Sequence, residues 1–304
     1  MSAAAAEEKS DDTMSLCACC GTAGDDGIKL KKCTACYLVK YCSVKCQKDH
    51  RPKHKKACKK RAAELRDEIL FKQPESSYPG DCPICCLPIS TDLQKSSLYS
   101  CCCKRICNGC EHANAKREEE GRLQEQCPYC RSPVASMEEE HNMNYMKRVE
   151  ANDPVAMTQM GAKRYHEGDY NAAFEYNSKA AALGNVNAHF NLSCLYHLGE
   201  GFEKNEKKRV YHLEEAAIGG HAIARYKLGH FEADKKRHER AIKHWIIAAN
   251  MGHDDSLEMV KEAFKMGLIS KEYFAAVLRA HRAAVDAMIS PQREEAKYYK
   301  KSSE

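Results

Sequence analysis

Residues 33–58 read CTACYLVKYCSVKCQKDHRPKHKKAC, a stretch in which five cysteines and a ligand-type histidine recur at short intervals. With Cys17 and Cys20 upstream, the full spacing is C-x2-C-x12-C-x2-C-x5-C-x3-C-x7-H-x3-C. Thiolates and imidazoles brought together by tight turns are the donors that tetrahedral Zn²⁺ prefers. The pattern predicts a first cysteine module, residues 16–60, that binds two zinc ions.

A second run of cysteines predicts a second cysteine module over residues 81–132. It contains three C-x2-C pairs and a cluster of adjacent cysteines: Cys82/Cys85, Cys107/Cys110, Cys127/Cys130 and Cys101–Cys103. The N-terminal residues show neither the basic nor the apolar region of a secretory signal. We therefore expect a reducing compartment, cytosol or nucleus, in which thiols bind metal and do not form disulfides.

Charge and hydropathy argue against a membrane-spanning segment but indicate no particular class of partner. The formal net charge is +5, and binding four zinc ions through thiolates would lower it to about −2. Residues 45–66 hold ten Lys and Arg against two acids; a solvated helix beside a negative zinc site explains this better than a nucleic-acid surface. No apolar run reaches the roughly 20 residues of a membrane span.

After residue 151 an internal repeat begins. The motif Ala-Ala-x-x-Gly occurs at residues 180–184, 216–220 and 248–252, and this period predicts stacked helix pairs. Asp153 and Asn185 stand at expected N-caps, and each repeat glycine stands where a helix ends with positive φ. The predicted helices are 154–167, 170–183, 187–198, 206–219, 221–233, 237–250, 254–266 and 270–288.

The first cysteine module resembles the MYND zinc finger, and its local text from Tyr41 to Cys58 carries the likeness. The resemblance implies interleaved ligand sets, and an affinity for short proline-containing peptides; a metal-stapled spacer without a partner is the alternative. His50 is expected to pack and not to bind metal. The implied zinc ligands are Cys17, Cys20, Cys42 and Cys46 for one ion, and Cys33, Cys36, His54 and Cys58 for the other.

The second module resembles a RING finger. The resemblance implies that Cys82, Cys85, Cys107 and Cys110 share one zinc, while Cys127 and Cys130 hold another with two of Cys101–Cys103. The sequence departs from the family because the customary ligand histidine falls at Lys104. Cys102 is then the expected third ligand, with Cys101 or Cys103 as the fourth. His112 is expected to be a helix residue.

RING fingers of the ligase type position a ubiquitin-charged E2 enzyme. The resemblance implies that Ile84, Pro128 and Arg131 would contact E2, which predicts a RING-type E3 ubiquitin ligase without covalent chemistry of its own. The alternative is a non-enzymatic adaptor, in which Ile84 and Pro128 only pack. The sequence has no nucleotide loop and no Ser/His/Asp arrangement, and each expected zinc has four protein ligands, which leaves no open catalytic position.

The repeats resemble Sel1-like repeats, relatives of the tetratricopeptide type, and the resemblance implies a scaffold for protein partners or, alternatively, a rigid spacer. The predicted fold is mainly α, with two small zinc-stapled cross-brace modules and an α-solenoid of helix-turn-helix repeats. Its segments are a disordered tail (1–15), MYND-type finger (16–60), helix and linker (61–80), RING-type finger (81–132), linker (133–151), Sel1-like repeats (152–290) and tail (291–304).

Overall fold

The computed structural model describes residues 16–24, 27–199 and 203–301, so the tail expected at 1–15 lies outside the described residues. The chain divides into two compact units, Met1–Leu70 and Phe71–Glu304. Most described residues are helical, which confirms the predicted fold class. Within the described ranges no helix combines the length and the apolar character that a membrane span requires.

The first unit consists of a short hairpin and one long helix. Strands β1 (Lys31–Lys32) and β2 (Lys40–Tyr41) pair antiparallel, and helix α1 follows at Val44–Leu70. The sequence analysis placed a helix only within residues 61–80. It begins earlier because the Ser43 hydroxyl accepts a hydrogen bond from the N–H of Cys46 at its amino end, and it continues through Pro52.

The second cysteine module opens the second unit. Strands β3 (Ser96–Tyr99) and β4 (Lys104–Cys107) form an antiparallel hairpin in which Tyr99 lies opposite Lys104. Helix α2 (Asn108–Gly121) follows β4 without an intervening loop. Cys107 is therefore both the last residue of a strand and the N-cap of a helix, and Cys110 lies in the first turn.

The rest of the second unit is mainly helical, and the successive helices between Glu138 and Asp286 each pack against the next one along the chain. Their bounds are α3 (Glu138–Glu150), α4 (Pro154–His166), α5 (Tyr170–Ala182), α6 (Val186–Leu198), α7 (Glu206–Ile218), α8 (Ala222–Asp234), α9 (His238–Ala249), α10 (Asp254–Lys265), α11 (Lys271–Asp286) and α12 (Pro291–Lys301). Each of the eight helices predicted between 154 and 288 coincides with one of α4 to α11.

The repeat motif has the structural role that its residues indicate. The alanines Ala180, Ala216 and Ala248 are fully buried, which lets neighbouring helices approach closely. Gly220 and its repeat equivalents have φ near +82° to +86°, a conformation that side chains disfavour. Asp153 caps α4 and Asn185 caps α6, as predicted.

The same cap position is filled by histidine in the two later repeats. His221 Nδ1 accepts a hydrogen bond from the N–H of Ala224, and His253 Nδ1 accepts one from Ser256, both at 3.2 Å. An imidazole nitrogen that accepts in this way must be unprotonated. Burial lowers the pKa of His221 to about 4, so the cap persists at neutral pH.

Helices also occur in the segments predicted to be a linker and a tail. The expected linker 133–151 holds α3, whose glutamates in the first turn and Lys147 and Arg148 in the last complement the helix dipole. The expected tail 291–304 holds α12, which starts at Pro291, and the Ser290 hydroxyl accepts the N–H of Arg293. Helix α3 packs on α4, and α12 packs on α2.

Candidate metal centres

The first tetrad joins the turn at residues 17–20 to the start of α1. Its Cys42 Sγ lies 3.5 Å from Cys20 Sγ and 3.6 Å from Cys46 Sγ. Backbone N–H groups of Cys20 and Cys42 lower the pKa of the Cys17 thiol to about 6. These contacts favour the thiolate, which is the form that binds metal.

The second tetrad joins the next turn to the middle of α1. Cys36 Sγ lies 3.2 Å from His54 Nε2, and Cys33 Sγ lies 3.8 Å from Cys58 Sγ. Cys33, Cys36 and His54 are buried. The two tetrads interleave along the chain as the MYND resemblance implies, because α1 supplies donors to both.

Four side chains at intervals of four residues line one face of α1: Cys46, His50, His54 and Cys58. Residues four apart lie above one another on a helix. His50 is not a member of either tetrad; its ring stacks on His54 at 5.7 Å, and its Nδ1 lies 3.1 Å from the Tyr41 hydroxyl. His50 therefore packs, as predicted, and orients the neighbouring His54 ring.

The third tetrad is formed by Cys82, Cys85, Cys107 and Cys110. Cys85 Sγ lies 3.7 Å from Cys107 Sγ, and three of the four cysteines are buried. The position of Cys107 at the junction of β4 and α2 brings both members of the second pair to the loop that carries the first pair.

The fourth tetrad shows which two cysteines of the Cys101–Cys103 cluster lie beside Cys127 and Cys130. It contains Cys101, Cys102, Cys127 and Cys130, with Cys102 Sγ 3.7 Å from Cys127 Sγ and Cys130 Sγ 3.4 Å from Cys101 Sγ. Cys103 has a positive φ of 52° and lies outside the tetrad. Burial raises the pKa of its thiol to about 12.

All four tetrads have the donor set and spacing of structural zinc sites. In each, the four donor atoms lie within 4.8 Å of one another. Tetrahedral Zn²⁺ with Zn–S distances near 2.3 Å places its sulfurs about 3.8 Å apart, whereas a disulfide requires about 2.05 Å. Four protein donors per centre leave no position for substrate, so the arrangement suits zinc that stabilises a fold.

Arg293 of α12 contacts the loop of the third tetrad, and sequence analysis did not single it out. Its Nη1 donates to the carbonyl of Pro88 at 2.6 Å, and its Nη2 donates to the carbonyl of Leu87 at 3.1 Å and to Cys85 Sγ at 3.4 Å. Partners of this kind orient metal ligands and stabilise the thiolate. No sequence signal indicates this contact, because it joins residues about two hundred positions apart.

We expect Arg293→Ala to release zinc from the third tetrad about tenfold faster. Residues that hydrogen-bond to metal ligands typically contribute 10- to 100-fold to metal affinity. Release to a chromophoric chelator in stopped flow measures the rate. The exposed Arg282, which pairs with Asp286 on α11, supplies the matched control Arg282→Ala. Equal rates in both variants would show that the Arg293 contacts do not hold the site.

The residues expected to contact E2 differ in exposure. Ile84 is 42% exposed and Arg131 is exposed, whereas Pro128 is buried. The Arg131 guanidinium donates to Asn114 Oδ1 at 2.8 Å, which ties the residue after the last cysteine to α2. The exposed apolar side chain of that loop is Tyr129, 47% exposed.

Comparisons with known proteins bear on the first module. Residues 17–58 match the family model of the MYND finger. The protein SET domain and MYND-type zinc finger protein 6 of Schizosaccharomyces pombe is 37% identical over 59 residues, 19% of this chain and 12% of that protein. The predicted MYND resemblance is thereby confirmed for this module.

Other similarities are partial. HcpC of Helicobacter pylori, whose name marks it as a candidate beta-lactamase, is 45% identical over 56 residues, 18% of this chain and 19% of that protein. The chain thus spans a fifth or less of the curated relatives it matches. A Sel1 repeat protein from Oxalobacter formigenes has a TM-score of 0.45 at 20% identity, covering 59% of this chain and 74% of the other. The Escherichia coli antigen c5321 has a TM-score of 0.40 at 22% identity, covering 54% and 37%.

Proposed function

We propose that this chain is a RING-type E3 ubiquitin ligase. In this proposal the second cysteine module positions a ubiquitin-charged E2 enzyme, and the MYND finger and repeats recruit protein partners in the cytosol or nucleus. Zinc fingers and helical repeats are modules that bind proteins. Ligase activity is the more specific function that we propose for them. The observation that carries it is the fourth tetrad, in which Cys101 completes the donor set despite Lys104 in the customary histidine position.

In this proposal the second module acts by positioning the E2 enzyme. All sixteen tetrad residues would bind zinc, two ions in each module, and the metal would hold the loops around Ile84 and Arg131. A ligase of this type forms no covalent intermediate, because it restricts the E2 thioester to conformations that react with an incoming amine. Ile84 would supply the apolar contact, and the Arg131 guanidinium, held by Asn114 at 2.8 Å, would donate hydrogen bonds.

The burial of Pro128 supports the alternative of a non-enzymatic adaptor. A buried proline shapes its loop but offers little surface to an E2 enzyme. In the adaptor hypothesis the second module is a zinc-stapled fold that presents Ile84 and Tyr129 to another protein.

We expect the zinc-loaded full chain to form polyubiquitin chains with at least one member of an E2 panel. Ile84→Ala and Arg131→Ala should each lower the rate at least tenfold, because each removes a proposed contact with the ubiquitin-charged E2 enzyme. The matched controls Ile69→Ala and Arg282→Ala alter exposed residues outside the module. Absence of chains across the panel, with four zinc ions shown by native mass spectrometry, would favour the adaptor.

The MYND finger is the proposed site for proline-containing peptides. The exposed apolar side chains of this unit include Tyr37 and Leu38, 61% and 54% exposed, and Val44, 67% exposed. A proline ring packs well on such a surface. Loss of proline-peptide binding in Leu38→Asp, with zinc content unchanged, would support this assignment.

A further inference from the structure

The segment 71–80, which the sequence indicates as a linker, packs along the repeats as a bound peptide would. We call it the linker segment, and we call the residues of α8, α9 and their flanking turns that contact it the linker-binding surface. Phe71 packs against Ala222, Ile247, Ala248 and Met251, all buried. At the other end, the Tyr78 ring stacks on His221 at 5.2 Å with an interplanar angle of 10°.

Between these two aromatic side chains, backbone atoms of the linker segment form hydrogen bonds with the linker-binding surface. Tyr78 N–H donates to the carbonyl of Gly220 at 2.9 Å. Arg225, whose side chain is fully buried, donates from Nη2 to the carbonyl of Lys72 at 3.3 Å. Because backbone groups are common to all peptides, these contacts recognise an extended chain whatever its sequence.

Side chains add sequence preference. The Gln73 amide donates to the carbonyl of Ile247 at 3.3 Å and accepts from Asn250 Nδ2 at 3.2 Å. The Arg240 guanidinium lies 4.8 Å from the centre of the Phe71 ring, a cation–π geometry. Both ends of the surface therefore favour an aromatic ring.

His244 provides a separate indication that the surface is built for a ligand. Its ring lies 4.8 Å from that of Phe71, and it is fully buried. Neither ring nitrogen has a hydrogen-bond partner among the described residues. A buried polar group without a partner costs free energy, and Phe71 offers it no donor or acceptor.

We propose that the linker-binding surface is a peptide-binding site, that residues 71–78 occupy it in cis, and that it accepts extended peptides with two aromatic side chains seven positions apart. This inference rests on the proposed role of the repeats in binding protein partners. A tethered segment has an effective concentration near the millimolar range, so the cis segment lowers the apparent affinity for every competitor. The linker segment thereby restricts the site to strong or locally abundant partners.

Gly220 gives a test of the cis contact. A Cβ there would clash with the carbonyl oxygen of Ser76 and lie 3.2 Å from Tyr78 N, whereas a Cβ at Gly184 would meet nothing within 4 Å. Both glycines have nearly the same positive φ, +86° and +82°, so Gly184→Ala carries the same backbone cost. We expect trypsin to cleave after Lys72 at least fivefold faster in Gly220→Ala only, as followed by mass spectrometry.

Binding in trans is tested on the zinc-loaded full chain with a fluorescein-labelled peptide of sequence FKQPESSYPG. The double variant Phe71→Ala/Tyr78→Ala weakens the cis segment and leaves the linker-binding surface intact. We expect it to bind the peptide at least tenfold more tightly than the wild type does. A peptide with alanine in place of both aromatics serves as the ligand control and should not bind.

Two results would overturn the proposal. In one, the double variant exposes the Lys72 bond to trypsin yet binds the peptide no better than the wild type. In the other, trypsin cleavage after Lys72 stays at the wild-type rate in both the double variant and Gly220→Ala. Neither assay contains E2 or ubiquitin, so their failure is separate from a failure of the ligase proposal.

Discussion

The Cys36→Ser variant will lose zinc and most of the fold of the first unit. Cys36 is 1% exposed and belongs to the second tetrad. A module of roughly 45 residues buries too little apolar surface to fold alone, and zinc binding supplies on the order of 10 kcal/mol to such modules. Because α1 carries donors of both tetrads, loss of the second ion also removes support from Cys46 in the first.

Native mass spectrometry and amide hydrogen exchange measure this result. The wild type should carry four zinc ions, and Cys36→Ser three or two, with fast exchange across the hairpin and the amino half of α1. Cys19→Ser is the matched control, since Cys19 is exposed, lies close in the sequence to tetrad cysteines and belongs to no tetrad. Four zinc ions retained in Cys36→Ser would refute the ligand assignment.

Gly229→Ala should destabilise the second unit by about 1–2 kcal/mol, although replacing glycine by alanine within a helix usually stabilises a protein. Replacing a helical glycine by alanine gains about 1 kcal/mol from helix propensity. Here a Cβ would clash with the Trp245 ring, lying 2.7 Å from Cε2, and overpacking a close-packed core costs typically 1–3 kcal/mol. Trp245 lies within the largest apolar cluster described for the repeats, so little relaxation is available.

Urea denaturation of the single and double variants measures this coupling. Trp245→Phe alone should cost stability through lost burial, but Gly229→Ala should cost less in its presence because the smaller ring leaves room for the methyl group. A non-additive cycle isolates the contact. If Gly229→Ala raises the free energy of unfolding, then helix propensity outweighs packing and the steric argument is wrong.

The features that the sequence predicted well depend on residues close together along the chain, such as the zinc donors. The cysteine spacing and His54 indicated two zinc-binding modules, because short turns fix the intervals between donors. The grouping of these donors into sets followed from the MYND and RING resemblances. The choice between Cys101 and Cys103 could not be made, since adjacent cysteines differ only in backbone conformation. The positive φ of Cys103 places it at the turn of the hairpin, outside the tetrad.

Contacts between distant residues were not predictable. Pro74–Asp81 has the composition of a linker, yet part of this stretch is bound to the repeats through Gly220 and His221. Helix α12 is polar in sequence and is ordered by the hydrogen bonds of Arg293 to the second module. Histidine caps on α8 and α10 were missed because the asparagine or aspartate expected there is absent.

The contact of α12 with the second cysteine module changes how the repeat array should unfold. Stacked repeats touch only their neighbours, and an array with free ends melts gradually, one terminal repeat at a time. Here the carboxyl-terminal helix is bound to the module that begins the same unit, through Arg293 and the carbonyls of Leu87 and Pro88. Because α12 is held at the second module, we expect the last helices to fray only when a contact next to a metal centre breaks, and we expect zinc content to affect how cooperatively the helices melt.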